Sequence, residues 1–203
     1  MWPVESRTPF GTFIAPANVS FADVFERRRS TRALAPTPVD ALVGMFHFAL
    51  TPRYWQQGDG MQRSRRPALS AGALHPISVV ILVDSAVYRV NVEACTLDKL
   101  AFSAEAYATW LGRCRILLPK ANGAFMALIA DLGRPKAAYA NCESLILRDA
   151  GAMLQTLALA AEWFGLGFSP LGILGNEVVA ALPASEQLLA VGGAAVGLPI
   201  RGN

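Results

Sequence analysis

Apolar residues fall at helical spacing in some stretches of the chain and in short unbroken runs in others. The first helical stretch opens at Ser20-Phe21-Ala22-Asp23, which has the form of a capping box, and continues through FADVFERRR. TRALAPTP breaks it. A second helix is predicted from Thr37, with Thr37 as cap, Pro38 at the first helical position and Asp40 in the first turn. Leu42, Val43, Phe46 and Leu50 give it an apolar stripe. Thr51 to Ala68 is rich in Arg, Gln and Gly and reads as a polar loop, long enough to suit a functional role. Ile77 to Val83 then runs without alternation, as a strand buried on both faces does. Asp84-Ser85 is placed to turn it into a second strand, Val87 to Val92.

Beyond this hairpin, Ser103 starts a short helix to Leu111, and Ala124 to Ala130 (AFMALIA) forms a third strand. Asn141 to Phe164 is a long apolar helix closed by Gly165. Gly175-Asn176 leads into a short helix, EVVAAL, stopped by Pro183, and Leu188 to Gly197 makes a glycine-rich last strand. Helices and strands mix without βαβ alternation, so the expected class is α+β, in one domain over residues 1–203 with its core at about 21–197.

Composition sharpens this picture at one point. Of the 203 residues, 53% are hydrophobic and only 16% charged, against about 25% charged in average soluble domains. The apolar surplus must lie in a membrane or in a subunit interface. Within Leu145 to Gly165 the longest uncharged run is Ala150 to Ala161, between Asp149 and Glu162, whereas a bilayer span takes about 20 residues. A buried helix at a dimer interface is the expectation, with no membrane association.

Met1 to Ser20 lacks a basic start followed by an apolar block, so a cytoplasmic location is expected. Cys95, Cys114 and Cys142 are odd in number and far apart, as reduced thiols are. With His47 and His75 the only histidines, no metal cluster is expected.

The net charge is +3, and basic residues cluster at two short stretches, Arg27-Arg28-Arg29 with Arg32, and Arg63, Arg65 and Arg66. No aromatic residues are interleaved with them as nucleic-acid stacking would need, and a small anionic ligand suits them at least as well. RRSTR offers guanidinium forks and a hydroxyl for a phosphate, and reads equally as a solvated basic helix end. Ser70-Ala71-Gly72-Ala73 is small enough for its backbone to approach a flat ligand, or is a plain turn into the strand that His75-Pro76 begins. GLGFSPLGILG (Gly165 to Gly175) is an extended, close-approach segment or a helix terminator with its loop. Lys136 and Tyr139 precede the long helix as an exposed loop pair. Neither a GxGxxG nor a GKS/T loop is present.

Taken in order, RRSTRAL, RRPALSAGALHPISVVILV, the YRV strand, LRDAGAMLQTLALAAEWFGLG and SPLG resemble the nitroreductase superfamily of flavoproteins. SAGALHP with VYRVNVEACTLDKL is most similar to the SagB-type dehydrogenases, which oxidise azolines in modified peptides. The resemblance runs from about Phe21 to Gly197 and implies a central, mostly antiparallel sheet flanked by helices in an intertwined homodimer, with FMN at the interface. It implies that Arg28, Arg29, Ser30 and Arg32 hold the FMN phosphate and ribityl chain, with Arg201 completing that site. Ser70, Ala71 and Gly72 would reach the flavin from the partner subunit, and Pro170, Leu171 and Gly172 would line its ring. Tyr139 becomes the candidate base and Lys136 its helper.

Two features depart from the family. Its adjacent Lys-Tyr pair is replaced by Lys136 and Tyr139 with Ala138 before the tyrosine, and its Gly-His within the helix by Gly151-Ala152. The implied activity is an FMN-dependent oxidoreductase acting on azoline peptides or a related small substrate. The alternatives are an NAD(P)H-driven reductase of nitro compounds or quinones, and a non-catalytic flavin-binding or partner-docking subunit.

Overall fold

The computed structural model describes residues 2–13, 15–16, 18–56, 61–183 and 185–200. One antiparallel sheet organises it. β1 (Val4–Pro9), β7 (Thr96–Leu100), β6 (Ala86–Asn91), β5 (Ile77–Val83), β8 (Ala124–Asp131) and β10 (Leu188–Pro199) lie side by side in that order. The outer edge of β10 is shared by β9 (Gly167–Leu171) and β2 (Leu34–Ala35).

The absence of alternation in β5 and β8 has a direct cause. Met126, Leu128 and Ala130 point into a core beneath α2 (Val39–Leu50) and α5 (Glu143–Trp163). Phe125, Ala127 and Ile129 point into a second core, where Trp110 of α3 (Ala104–Leu117) and Val178 of α6 (Asn176–Ala180) are fully buried. Successive side chains of a strand face opposite ways, so a sheet covered by helices on both faces needs apolar residues at every position.

The α+β class and the mostly antiparallel sheet with flanking helices are as the sequence predicts. The first helix, α1 (Phe21–Arg27), is capped by the Ser20 hydroxyl, which accepts from the Asp23 amide at 3.1 Å. Asp84 and Ser85 both take positive φ, 48° and 62°, the geometry of a two-residue hairpin turn matched to strand twist.

Other elements differ from expectation. The second helix begins at Val39, because Pro38 with ψ 137° is its non-helical cap, and the buried Thr37 hydroxyl makes no hydrogen bond. Within the stretch read as a polar loop, β3 (Tyr54–Gln56) and β4 (Arg63–Arg65) pair as a small hairpin. The helix from Ser103 continues to Leu117. Lys136 lies on a short helix, α4 (Gly133–Ala138), and Gly167 to Leu171 forms a strand by pairing with Gly193 to Gly197. β1 and β7 complete the sheet without having been predicted. Among the described residues, no helix is long and apolar enough to cross a membrane, and no group of acids, cysteines and histidines could hold a metal ion.

Candidate functional site

The Ser70–Ala73 loop is fixed from below by α5. Asp149, nine-tenths buried in the second turn of that helix, accepts the Ser70 hydroxyl at 2.6 Å and the Ala71 amide at 3.0 and 3.2 Å. The Ser70 oxygen in turn accepts the His75 amide at 2.9 Å. A buried carboxylate needs such donors to offset its desolvation, and this one takes them all from the loop. His75 closes the far end, with its ring Nε2 2.8 Å from the Ser64 carbonyl. Burial, reinforced by the nearby Arg66 charge, pushes its pKa down to about 4, so the ring is neutral at physiological pH.

Between these anchors the backbone is in the left-handed region at Gly72 (φ 59°), Ala73 (φ 56°) and His75 (φ 45°). Position 72 is crowded as well as left-handed. A Cβ there would run into the Tyr139 hydroxyl and lie 2.8 Å from the Arg63 guanidinium, which donates to the Gly72 carbonyl. Tyr139 thus lies against the loop, half-buried at the end of α4 and packed on the core beneath α5, and is not the exposed loop residue its sequence position implied. Lys136, one turn earlier on α4, is exposed.

The arginine block sits elsewhere. Arg29, Ser30 and Arg32 are exposed and Arg28 half-buried, just beyond α1. Their backbone is held against β9 by a bridge between Ser30 and Phe168, and by the Thr31 amide donating to the Phe168 carbonyl at 2.9 Å. This brings the block next to the strand that carries Pro170 and Leu171, with Gly172 following in open space. A cavity of about 690 Å³ beside it is lined by Arg27, Arg29, Thr31 and Gly165 to Gly167. Arg201 lies outside the described residues.

The candidates therefore form two groups at opposite ends of α5. The loop and Tyr139 stand over Asp149, while the arginine block lies near Glu162, which Arg27 approaches at 3.8 Å. Along the helix, Asp149 and Glu162 are about 20 Å apart.

Sequence reasoning missed Asp149, and it grouped Arg63 with an anion-binding cluster instead of with the loop whose Gly72 carbonyl it binds. Asp149 did carry a signal, since a carboxylate inside an apolar helix must find partners. Arg63 reaches Gly72 only because β4 forms.

No family model and no curated protein sequence matches the chain. Solved structures do. A protein from Ralstonia eutropha assigned as a nitroreductase superimposes with a TM-score of 0.72 at 16% identity, over 98% of this chain and 91% of its own. An FMN complex of a protein from Desulfovibrio desulfuricans, also assigned as a nitroreductase, matches with a TM-score of 0.57 at 18% identity, over 91% and 89%. The E. coli microcin synthetase McbBCD complex, with truncated pro-MccB17 bound, contains a chain matching with a TM-score of 0.61 at 17% identity, over 94% and 76%. The chain has the nitroreductase fold.

Proposed function

We propose that the protein is an FMN-dependent oxidoreductase that works as a homodimer, each flavin lying between two subunits. The separation of the two residue groups carries this reading. The Arg28–Arg32 block and the Ser70–Gly72 loop lie beside points of α5 about 20 Å apart along its axis, a separation that one flavin meets by taking one group from each of two subunits. An apolar groove of about 600 Å³ between α1 and α5, lined by Phe21, Val24, Phe48, Leu159 and Trp163, offers surface for such an interface. The neighbouring FMN complex supports the choice of flavin.

The residues fit the group. Exposed guanidiniums and the Ser30 hydroxyl match the geometry of a phosphate, with Arg28, Arg29, Ser30 and Arg32 holding it and Arg201 adding a further cation. Pro170, Leu171 and Gly172 give the flavin ring an apolar wall that is open at Gly172. Ser70, Ala71 and Gly72 approach it from the partner, held in shape by Asp149. Bound flavin supplies the two-electron chemistry, and the protein supplies binding, orientation and proton handling. We assign proton transfer with the substrate to the Tyr139 hydroxyl, which lies beside the left-handed Gly72, with Lys136 the cation nearest to it in sequence.

For the substrate we favour a heterocycle-bearing peptide, as in SagB-type azoline oxidation, and the likeness to a peptide-bound synthetase complex supports it. The neighbours assigned as nitroreductases favour the second reading, an NAD(P)H-driven reductase of nitro compounds or quinones.

The test is spectroscopic. The purified protein should show a flavin absorption band, bind one FMN per chain and sediment as a dimer. A colourless protein that takes up no added FMN would overturn the reading. Bleaching by a heterocycle-bearing peptide, but not by NADPH, would select the azoline oxidase, and the reverse would select the reductase.

A further inference from the structure

A separate polar centre lies behind the Ser70–Ala73 loop, where β5 begins and β6 and β8 end. A cavity of about 110 Å³ is lined there by Arg66, Arg89, Arg134, Glu93, Asp131 and His75. That is room for a few waters or one small ion.

The charges around it do not balance. Arg66, its side chain only 8% exposed, reaches Glu93 at 3.1 Å and the Ser64 hydroxyl at 2.9 Å. Arg89 lies 3.9 Å from Asp98, a carboxylate it shares with Arg7 at 3.5 Å, and 5.0 Å over the Trp2 ring. Among the described residues, Arg134 bonds only to Gln62, at 3.3 and 3.4 Å. Of the two carboxylates in the wall, Asp131 already accepts the Gly133 amide at 2.8 Å.

The guanidiniums feel one another. Burial depresses the pKa of Arg66, the paired Glu93 opposes that shift, and the charges of Arg134 and Arg89 add smaller lowering effects. His75 is neutral and adds no charge. With the shared pair included, four guanidiniums (Arg7, Arg66, Arg89 and Arg134) outnumber three carboxylates (Glu93, Asp98 and Asp131) by one around this small, partly exposed space, which favours one further negative charge.

We propose that this cavity binds a small oxyanion, either the carboxylate group of an organic acid or inorganic phosphate, between Arg66, Arg89 and Arg134. Planar guanidinium forks pair with such oxygens two at a time. None of these residues belongs to the proposed flavin site, so the inference stands apart from that reading. It still touches the loop, because His75 and Pro76, which directly follow it, form part of the cavity wall.

The experiment titrates the purified protein with acetate and with phosphate at constant ionic strength, against chloride. Calorimetry and tryptophan fluorescence follow binding, with Trp2→Phe assigning the optical signal. Saturable binding is expected, weakened about tenfold by Arg134→Gln, restored in part by Arg134→Lys, and still present in Arg29→Gln/Arg32→Gln, a variant that removes only phosphate bound at the proposed flavin site. Arg134 is exposed, so its variants test the site even where Arg66→Gln fails to fold. Saturation by acetate identifies the carboxylate source, and saturation by phosphate alone identifies phosphate. Absence of saturable binding to either anion overturns the proposal. So does binding that survives Arg134→Gln and is lost in the Arg29/Arg32 variant. FMN uptake measured on the same samples reports separately on the flavin reading.

Discussion

The Ser70–Ala73 loop and the Arg28–Arg32 block both lie beside α5, yet they are built in opposite ways. In the loop, the Ser70 hydroxyl, the Ala71 amide and the Gly72 carbonyl are all engaged, by Asp149 and Arg63. In the block, the backbone is tied to Phe168, while among the described residues the side chains of Arg28, Arg29 and Arg32 form no hydrogen bond or ion pair. The loop's shape is thus set by the protein itself. The block has only its backbone set, which leaves its guanidiniums available to a ligand. Damage to the loop should appear as lost stability, and damage to the block as lost affinity.

The largest test of this contrast is Asp149. Asp149→Leu leaves the Ser70 hydroxyl and Ala71 amide without their acceptor and should destabilise by about 3 kcal/mol in urea unfolding. Asp149→Asn should cost less, since one acceptor oxygen remains. A cycle with Ser70→Ala should give a coupling of about 1 kcal/mol or more. Additive effects would show that the latch is not a unit.

Gly72→Ala comes next. A left-handed alanine costs about 1–2 kcal/mol, and its methyl collides with Tyr139 and Arg63. Tyr139→Phe in the same chain removes the nearest obstruction and should recover part of the loss.

Acid should act through His75. Its folded pKa, about 4, is below the ordinary 6.5, so between those values the unfolded chain binds more protons. The neutral ring's contribution is complete above pH 6.5 and is lost as the pH falls toward 4. His75→Gln should flatten that part of the stability profile, and an unchanged profile would remove His75 from the account.

The smallest stability effect belongs to the other side of the comparison. Arg29→Gln should change unfolding free energy by no more than about 0.5 kcal/mol, while raising the FMN dissociation constant about tenfold. A large loss of stability there would erase the contrast.

Which parts were legible in the sequence follows from the same physics. β5 and β8 announce themselves because helices cover both of their faces, and Ser20 because its cap is local. β1 could not be read, since five of its six residues are exposed and it gains its partner, β7, only after the chain returns some 90 residues later. β3 and β4 carry arginine and glutamine where a strand signal needs apolar residues. Thr37-Pro38 has the composition of a helix start, but Pro38 takes an extended ψ and shifts the cap by one residue. At the site, small residues and arginines marked where a ligand could approach. What fixes the loop in place is a carboxylate on a distant helix, and no local pattern reveals that pairing.

Ser70 and Asp149 are 79 residues apart along the chain. Closing so long a span carries an entropic cost that must be met before the contact returns anything. Four strands, β5 to β8, and the helices α3 and α4 lie between them. During synthesis the loop emerges early, and its latch cannot exist until α5 has been made and has docked on the sheet. The latch therefore closes only once α5 has docked, and the order of the loop reports that docking.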